Sequence, residues 1–553
     1  TTNFEDSILI SQNASTGTLD AASNNTGLGD SVFAALTSGD NNVGIGADSL
    51  KGLTTGGANV AVGFAALEAN TTASNNVAVG FTALLANTTG SFNVAVGKDA
   101  LAANTTAAQN TAVGGVSMAS NTTGANNTAL GTSALNANTT ASNNVAVGTN
   151  ALVLNTTGSN NTAVGMQSLD ANTTGTTNTA IGKDSLGANT TGSANTGLGH
   201  NALEANTTAS DNTGVGKNAL RANTTGGENT ALGKDALSAN TTGTNNLSLG
   251  SDTMLANTTG SNNVAVGYGA LQVNSTADDN TAVGDRALFN NTTGTNNSAL
   301  GHDALKANTT GESNVAVGSQ SLDANTTGLN NVAVGRQALD NSTTGSRNVA
   351  VGTNALDANT TADHNTAVGD GALKANTTGA ANIAVGSAAG NLITTGSQNV
   401  ILGGYSGNHQ GLDVRTESDG KAVVSDGAGD IAFHNAVGTA ILAGNVDVTG
   451  DSSSANAFAL ADGAVTGLFG GGNGFSGVFI LNDFTSSGEV AMFITGGGVI
   501  TLVKQTGVNF EVGSSPASGK YGLFMDGTTV KLKSNRGASA SFRLLSLRTR
   551  TGQ

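Results

Sequence analysis

Few side chains in this sequence could do covalent or metal chemistry, and they are scattered. The five histidines, His200, His302, His364, His409 and His434, have no carboxylate at a repeated offset. They read as isolated surface imidazoles, not as a ligand set. Asp is not periodic, as a calcium-binding roll would require, and cysteine is absent, which removes disulfides and thiolate sites while fitting any redox compartment. No metal and no cofactor is expected. No G-x-S-x-G, H-E-x-x-H or phosphate-loop pattern occurs. The stretch GLFGGGNGF at 467–475 lacks the Lys-Ser/Thr ending and the following helix of a phosphate cradle, and reads as a turn or tip loop. Asp483 and Glu489 could act as paired acids on a polysaccharide, but no motif supports them. The chain is expected to be non-enzymatic.

Two patterns point to recognition. From Lys520 to Gln553 there are seven basic residues, Lys520, Lys531, Lys533, Arg536, Arg543, Arg548 and Arg550, against Asp526 alone. Such a cationic end could meet anionic cell-surface glycans or an acidic socket; it reads equally as a solvated terminal strand. Asn-Thr-Thr, as at Asn70 and Asn87, matches a glycosylation acceptor, yet its repetition is explained by turn chemistry. A threonine face for ice binding would need T-x-T on one side of a strand, whereas Thr71 and Thr72 are adjacent and point apart.

The element that positions everything is a seventeen-residue unit, seen at Asn76–Phe92 as NVAVGFTALLANTTGSF. Its glycine recurs every seventeen residues from Gly29 to Gly403, giving 23 copies without an insertion, and an asparagine precedes each by four residues, from Asn25 to Asn399. A period this strict marks a solenoid whose coils bury apolar residues only against their neighbours. The runs are too short for helices and are bounded by Gly and Asn-Thr-Thr-Gly turns. We therefore expect an all-β solenoid, a parallel β-roll with two strands and two turns per coil. Stacked at about 4.8 Å, the coils would span about 110 Å.

Within a coil, alternation predicts Val77 and Val79 on the inner side with Leu84, Gly80 at the turn, and Asn76 and Asn93 in a hydrogen-bonded amide ladder. The opposite side keeps small residues, Ala61, Ala78 and Ala95 on the first run and Ala83 and Ala100 on the second. That predicts a close neighbour outside, such as another copy of the chain; a monomeric roll with small outward residues is the competing account. Charged residues such as Lys98, Asp99, Glu68 and Arg221 fall at variable positions and should be solvated.

Four segments follow: an N-terminal capping coil at 1–24, the repeat shaft at 25–404, a connecting β segment at 405–449, and a C-terminal β domain at 450–553. The last two hold ten of the sixteen phenylalanines. Strand patterns there include GVFILNDF, EVAMFITG, GVITLVK and TVKLKS. The net charge of −16 argues against a nucleic-acid partner, and no apolar run is long enough to span a membrane. The N-terminus, TTNFEDSILISQN, does not read as a secretion signal.

The unit N-V-A-V-G-x-x-A-L-x-A-N-T-T-G resembles the head repeats of trimeric autotransporter adhesins and the related repeats of bacteriophage tail-fibre and other virion-fibre proteins. The resemblance covers about Asn25 to Gly403. It implies a parallel β-roll that assembles as a homotrimer, and partners among other virion or surface-appendage proteins and host glycan or protein receptors. It implies location on a virion or, alternatively, on the bacterial cell surface or outside the cell. The adhesins' coiled-coil stalk and membrane barrel have no counterpart here, which favours a structural fibre presenting a C-terminal attachment module over an adhesin that binds through its coils. Which terminus is anchored stays open.

Overall fold

The computed structural model describes residues 8–10, 22–409, 412–416, 420–436 and 439–441, and beyond these the strands between 456 and 548 given below. They fall into two compact units, Thr1–Ala381 and Asn382–Gln553. The polar stretch near Thr449, the loop at 470–475, Glu489, Arg536 and Arg550 lie outside the described residues, as does most of the expected N-terminal cap.

In the first unit, β1 (Ile8–Ile10) pairs in parallel with β2 (Thr26–Leu28), with Ile8 opposite Thr26. One three-residue strand then follows every seventeen residues, from β3 (Val43–Ile45) to β22 (Thr366–Val368). Each pairs in parallel with the next at identical positions, as Val77, Ala78 and Val79 do with Val94, Ala95 and Val96. A single register is enforced because every coil carries the same turn residues at the same places. At about 4.8 Å per strand, the coils of this unit stack over about 100 Å.

The interior of a coil is unlike the one expected. The middle residue of the strand faces in: Ala78 is fully buried, while Val77 and Val79 are half-exposed on the outer side. The inner face thus belongs to Ala78, Ala83 and Leu84, together with Asn76 and Asn87. The alternation was right and its sign reversed. A coil of one short strand and tight turns leaves room between its walls for methyl groups and amides, with one leucine as the largest filler. Gly44 shows how tight this is: a methyl built on it would lie 2.9 Å from a γ-carbon of Val32.

The second run is not a strand. Thr82 (φ 54°) and Leu84 (φ 52°) are left-handed, and Leu101 and Leu135 repeat the Leu84 geometry at φ 52° and 53°. A left-handed leucine costs about 1 kcal/mol. It turns the chain so that consecutive residues Ala83 and Leu84 both enter the core while Leu85 and Ala86 stay half-exposed. The backbone is still satisfied. The N–H of Leu84 donates to Ala100 O at 2.9 Å and that of Ala86 to Ala102 O at 3.0 Å, in the following coil. The N–H of Asn87 closes the turn on Leu84 O at 3.2 Å. Each inter-coil bond is worth about 1 kcal/mol net, which offsets the left-handed residue. Gly80 is held at φ 143°, where an added Cβ would sit 2.3 Å from Gly97 O. Only glycine fits there.

In the second unit, β23 (Ile383–Val385) and β24 (Val400–Leu402) keep the seventeen-residue spacing and pair in parallel. Ile401, Ile393, Tyr405 and Val414 are buried here, and the Tyr405 hydroxyl donates to Leu412 O at 2.7 Å. After a short antiparallel pair, β25 (Asn408–His409) with β26 (Leu412–Asp413), strand β27 (Ala422–Ser425) adds in parallel to β24. It then pairs antiparallel with β28 (Ile431–Ala436), which pairs with β29 (Thr439–Ile441). The remaining strands are β30 (Asn456–Leu460), β31 (Val465–Phe469), β32 (Gly477–Asp483), β33 (Val490–Gly496), β34 (Val499–Thr506), β35 (Phe510–Val512), β36 (Lys520–Asp526), β37 (Thr529–Asn535) and β38 (Ala540–Arg548). They form a five-stranded antiparallel sheet ordered β30-β38-β32-β33-β34 and a four-stranded sheet ordered β31-β37-β36-β35.

Candidate interaction surfaces

Reversal of the strand faces puts an aliphatic column on the outside of the first unit. Position 79 of the coil and its equivalents, from Leu28 through Ile45, Val62, Val79 and Val96 to Val368, are aliphatic in every coil of this unit. All lie on the outer side of their strands; Leu130, Leu232 and Leu300 are about half exposed, at 48%, 50% and 50%. Alongside runs the Val77 column, in which valine alternates with threonine, as at Thr111 and Thr162. A half-buried β-face tolerates threonine, and a closed core would not. That substitution pattern was the signal in the sequence for which side faces out. Large contiguous apolar patches are uncommon on the surface of soluble monomers.

Inside, two amide ladders run side by side. In the first, the N–H of Asn93 donates to Asn76 Oδ1 at 2.9 Å, and Asn93 Nδ2 donates to Ala107 O at 2.9 Å. In the second, Asn87 Nδ2 donates to Asn70 Oδ1 at 3.2 Å and to Gly90 O at 3.0 Å. The two ladders share acceptors: Asn59 and Asn70 both donate to Ala73 O, at 2.9 and 3.1 Å. Asn70 and Asn87 have no exposed surface, so the Asn-Thr-Thr amides are out of reach of any modifying enzyme in the folded coil. The following threonine caps the next coil, Thr88 Oγ1 donating to Thr105 O at 3.0 Å.

Charged groups cluster more than the sequence suggested. His302 is not isolated: its Nδ1 lies 3.4 Å from Asp303, whose carboxylate is also 3.0 Å from the Arg286 guanidinium and 3.7 Å from Lys306. His409 Nε2 lies 3.3 Å from Asp430. His200 and His364 are exposed. One coil further on, Asp323, Asp340 and Asp357 stack in a column, fixed by Ala324 N–H donating to Asp340 O at 2.9 Å and Asn341 N–H to Asp357 O at 3.1 Å. Partial burial, with the charges of Asp323 and Asp357 adding, pushes the Asp340 carboxyl up to about 6. Asp323 is also raised by burial, with Lys306 opposing. No group of three or more acids and histidines among the described residues is placed to hold a metal ion, and no described helix is long and apolar enough to cross a membrane.

Of the basic end, Lys531 and Lys533 lie on β37 and Arg543 and Arg548 on β38, strands of two different sheets. No known protein family, curated protein or solved structure matches this chain.

Proposed function

We propose that this protein is a non-enzymatic structural fibre whose stacked coils act as a rigid spacer. The observation that carries the reading is the aliphatic stripe from Leu28 to Val368, which lies outside a coil core already filled by Ala78, Ala83 and Leu84. Its length favours parallel association with further copies of the same chain, and the repeat's resemblance to trimeric adhesin heads makes that assembly a homotrimer. The spacer would present the C-terminal segment, with the basic residues Lys531, Lys533, Arg536, Arg543, Arg548 and Arg550 of its sequence, for host attachment on a phage or phage-like virion. Other virion proteins and a host surface glycan or protein would be its partners.

The second reading is a bacterial surface adhesin that binds matrix or host ligands through the coils, and the exposed Val77 and Val79 columns favour it. Deletion of residues 405–553 separates the two: attachment should be lost in a fibre with a terminal module and kept in a coil-binding adhesin. Light scattering tests the assembly. A monomer at micromolar concentration would rule the trimer out, and a trimer that survives lysine substitution at Val79, Val96 and Val113 would rule out the stripe as its interface.

A further inference from the structure

We propose that the coils bearing Phe64 and Phe81 form a lateral binding site for a neutral saccharide, on the shaft itself. The two rings stand one coil apart with centroids 5.2 Å from each other and planes inclined by 18°. They are 47% and 50% exposed. The fold does not ask for them, since the same coil position holds Lys98, Thr132, Ser251 and Asp370 elsewhere. Exposed aromatic pairs bury costly surface only when something lies on them.

The backbone fixes what surrounds the rings. Ala65 N–H donates to Ala47 O, Thr82 N–H to Phe64 O and Asp99 N–H to Phe81 O, each at 2.9 Å, so Ala47, Phe64, Phe81 and Lys98 form one column. Near-parallel rings stacked along that column leave Phe64 one face turned toward the coil of Ala47. A single methyl cannot cover a phenyl ring, and Phe64 keeps about half of its surface exposed.

Ion pairs are fixed in the flanking coils. Lys51 Nζ lies 3.1 Å from Asp48 and 3.8 Å from Glu68. Asp30 is near enough to help Asp48 and Glu68 hold the ammonium above its ordinary range. On the other side Lys98 Nζ is 2.5 Å from Asp99, whose other oxygen accepts from the Thr82 hydroxyl. A pyranose presents a face of polarised C–H bonds that the negative ring face attracts. Carboxylates and ammonium groups of these coils are the acceptors and donors that its hydroxyls need. Across these coils the carboxylates Asp30, Asp48, Glu68 and Asp99 outnumber the lysines Lys51 and Lys98, so this stretch of the shaft is net negative. Sialylated or sulfated sugars are repelled by it and a neutral sugar is not.

The test uses the full chain, with chitotetraose, cellotetraose and maltotetraose as neutral probes and a sialylated trisaccharide as the anionic one. Saturation-transfer NMR and calorimetric titration are the readouts. At least one neutral probe is expected to bind, and Phe64→Ala or Phe81→Ala to weaken it by about threefold to tenfold. Phe92→Ala, exposed at a different coil position, should leave binding and melting unchanged. The proposal is overturned if no neutral probe binds, if the Phe64 and Phe81 variants bind as well as the parent, or if the sialylated sugar competes equally. Sedimentation of Phe64→Ser with Phe81→Ser supplies the remaining outcome: loss of the oligomer with the fold intact would make a second copy of the chain the occupant, and would also overturn it.

Discussion

The backbone N–H of Asn93 reaches across seventeen residues to the side-chain oxygen of Asn76, 2.9 Å away and fully buried. Asn76 in turn uses its own N–H and Nδ2 on Asn59 Oδ1, at 3.0 and 3.2 Å. Asn76→Ala strands the Asn93 N–H in the core, and each buried polar group left unpaired costs about 1–3 kcal/mol. Hydrogen exchange should show the Asn93 amide losing protection, with coils far from 76 unaffected because each coil contacts only its neighbours. Unchanged protection at Asn93 would show that the ladder does not hold the coils together.

The second ladder runs from Asn70 to Asn376 and has a break at Ser342, where the flanking coils have Asn325 and Asn359. Asn325 Oδ1 is left buried without a partner, and Asn359 Nδ2, which donates to Ala362 O at 3.2 Å, meets the preceding coil only through a long 3.4 Å contact to Ser342 Oγ. Ser342→Asn should restore both contacts and stabilise the chain by about 1 kcal/mol. Denaturant midpoint is the measure. A lower midpoint than the parent would mean the gap is packing-limited and not a missing amide.

Placing Ala78 inside and Val77 outside makes opposite substitutions diagnostic. Ala78→Leu overfills a closed coil and should cost about 1–3 kcal/mol, whereas Val77→Thr should stay within about 0.5 kcal/mol. Thermal unfolding of the two variants reads this directly, and the reverse ranking would restore the inward valines.

The Asp340 carboxyl, raised to about 6 from its ordinary 3.8, is harder to ionise in the folded chain than in the unfolded one. Its charge therefore opposes folding above about pH 6, and that penalty is relieved as pH falls through about 6 towards 3.8. The side chain is part-exposed, so solvent screening brings the effect down to about 1 kcal/mol. Asp340→Asn should stabilise the protein at pH 7.5 and make no difference at pH 4. An equal gain at both pH values would show that the column of Asp323, Asp340 and Asp357 is not strained by its charge.

Much of this was legible in the residues. The period, the turn at Gly80 and the three-residue strand at Val77–Val79 follow from a repeat with no insertions, because every coil repeats the same backbone geometry. The strand patterns near 477–483 and 490–496 likewise match strands of the antiparallel sheet. The second run is not legible in this way. Ala83–Ala86 has the composition of a strand, and nothing in it announces that Leu84 sits at φ 52°.

By itself the sequence determined an all-β solenoid with a coil of seventeen residues, because only a stack of identical coils satisfies so strict a period. It could not determine which side of each strand faces in, since alternation defines two faces without naming one as the core. The tertiary structure decided that. The left-handed turns at Thr82 and Leu84 narrow the coil until methyls, amides and one leucine fill it, and the valines are left outside. It also decided that Phe64 and Phe81, seventeen residues apart in the chain, stand ring to ring, because coil stacking brings equivalent positions together.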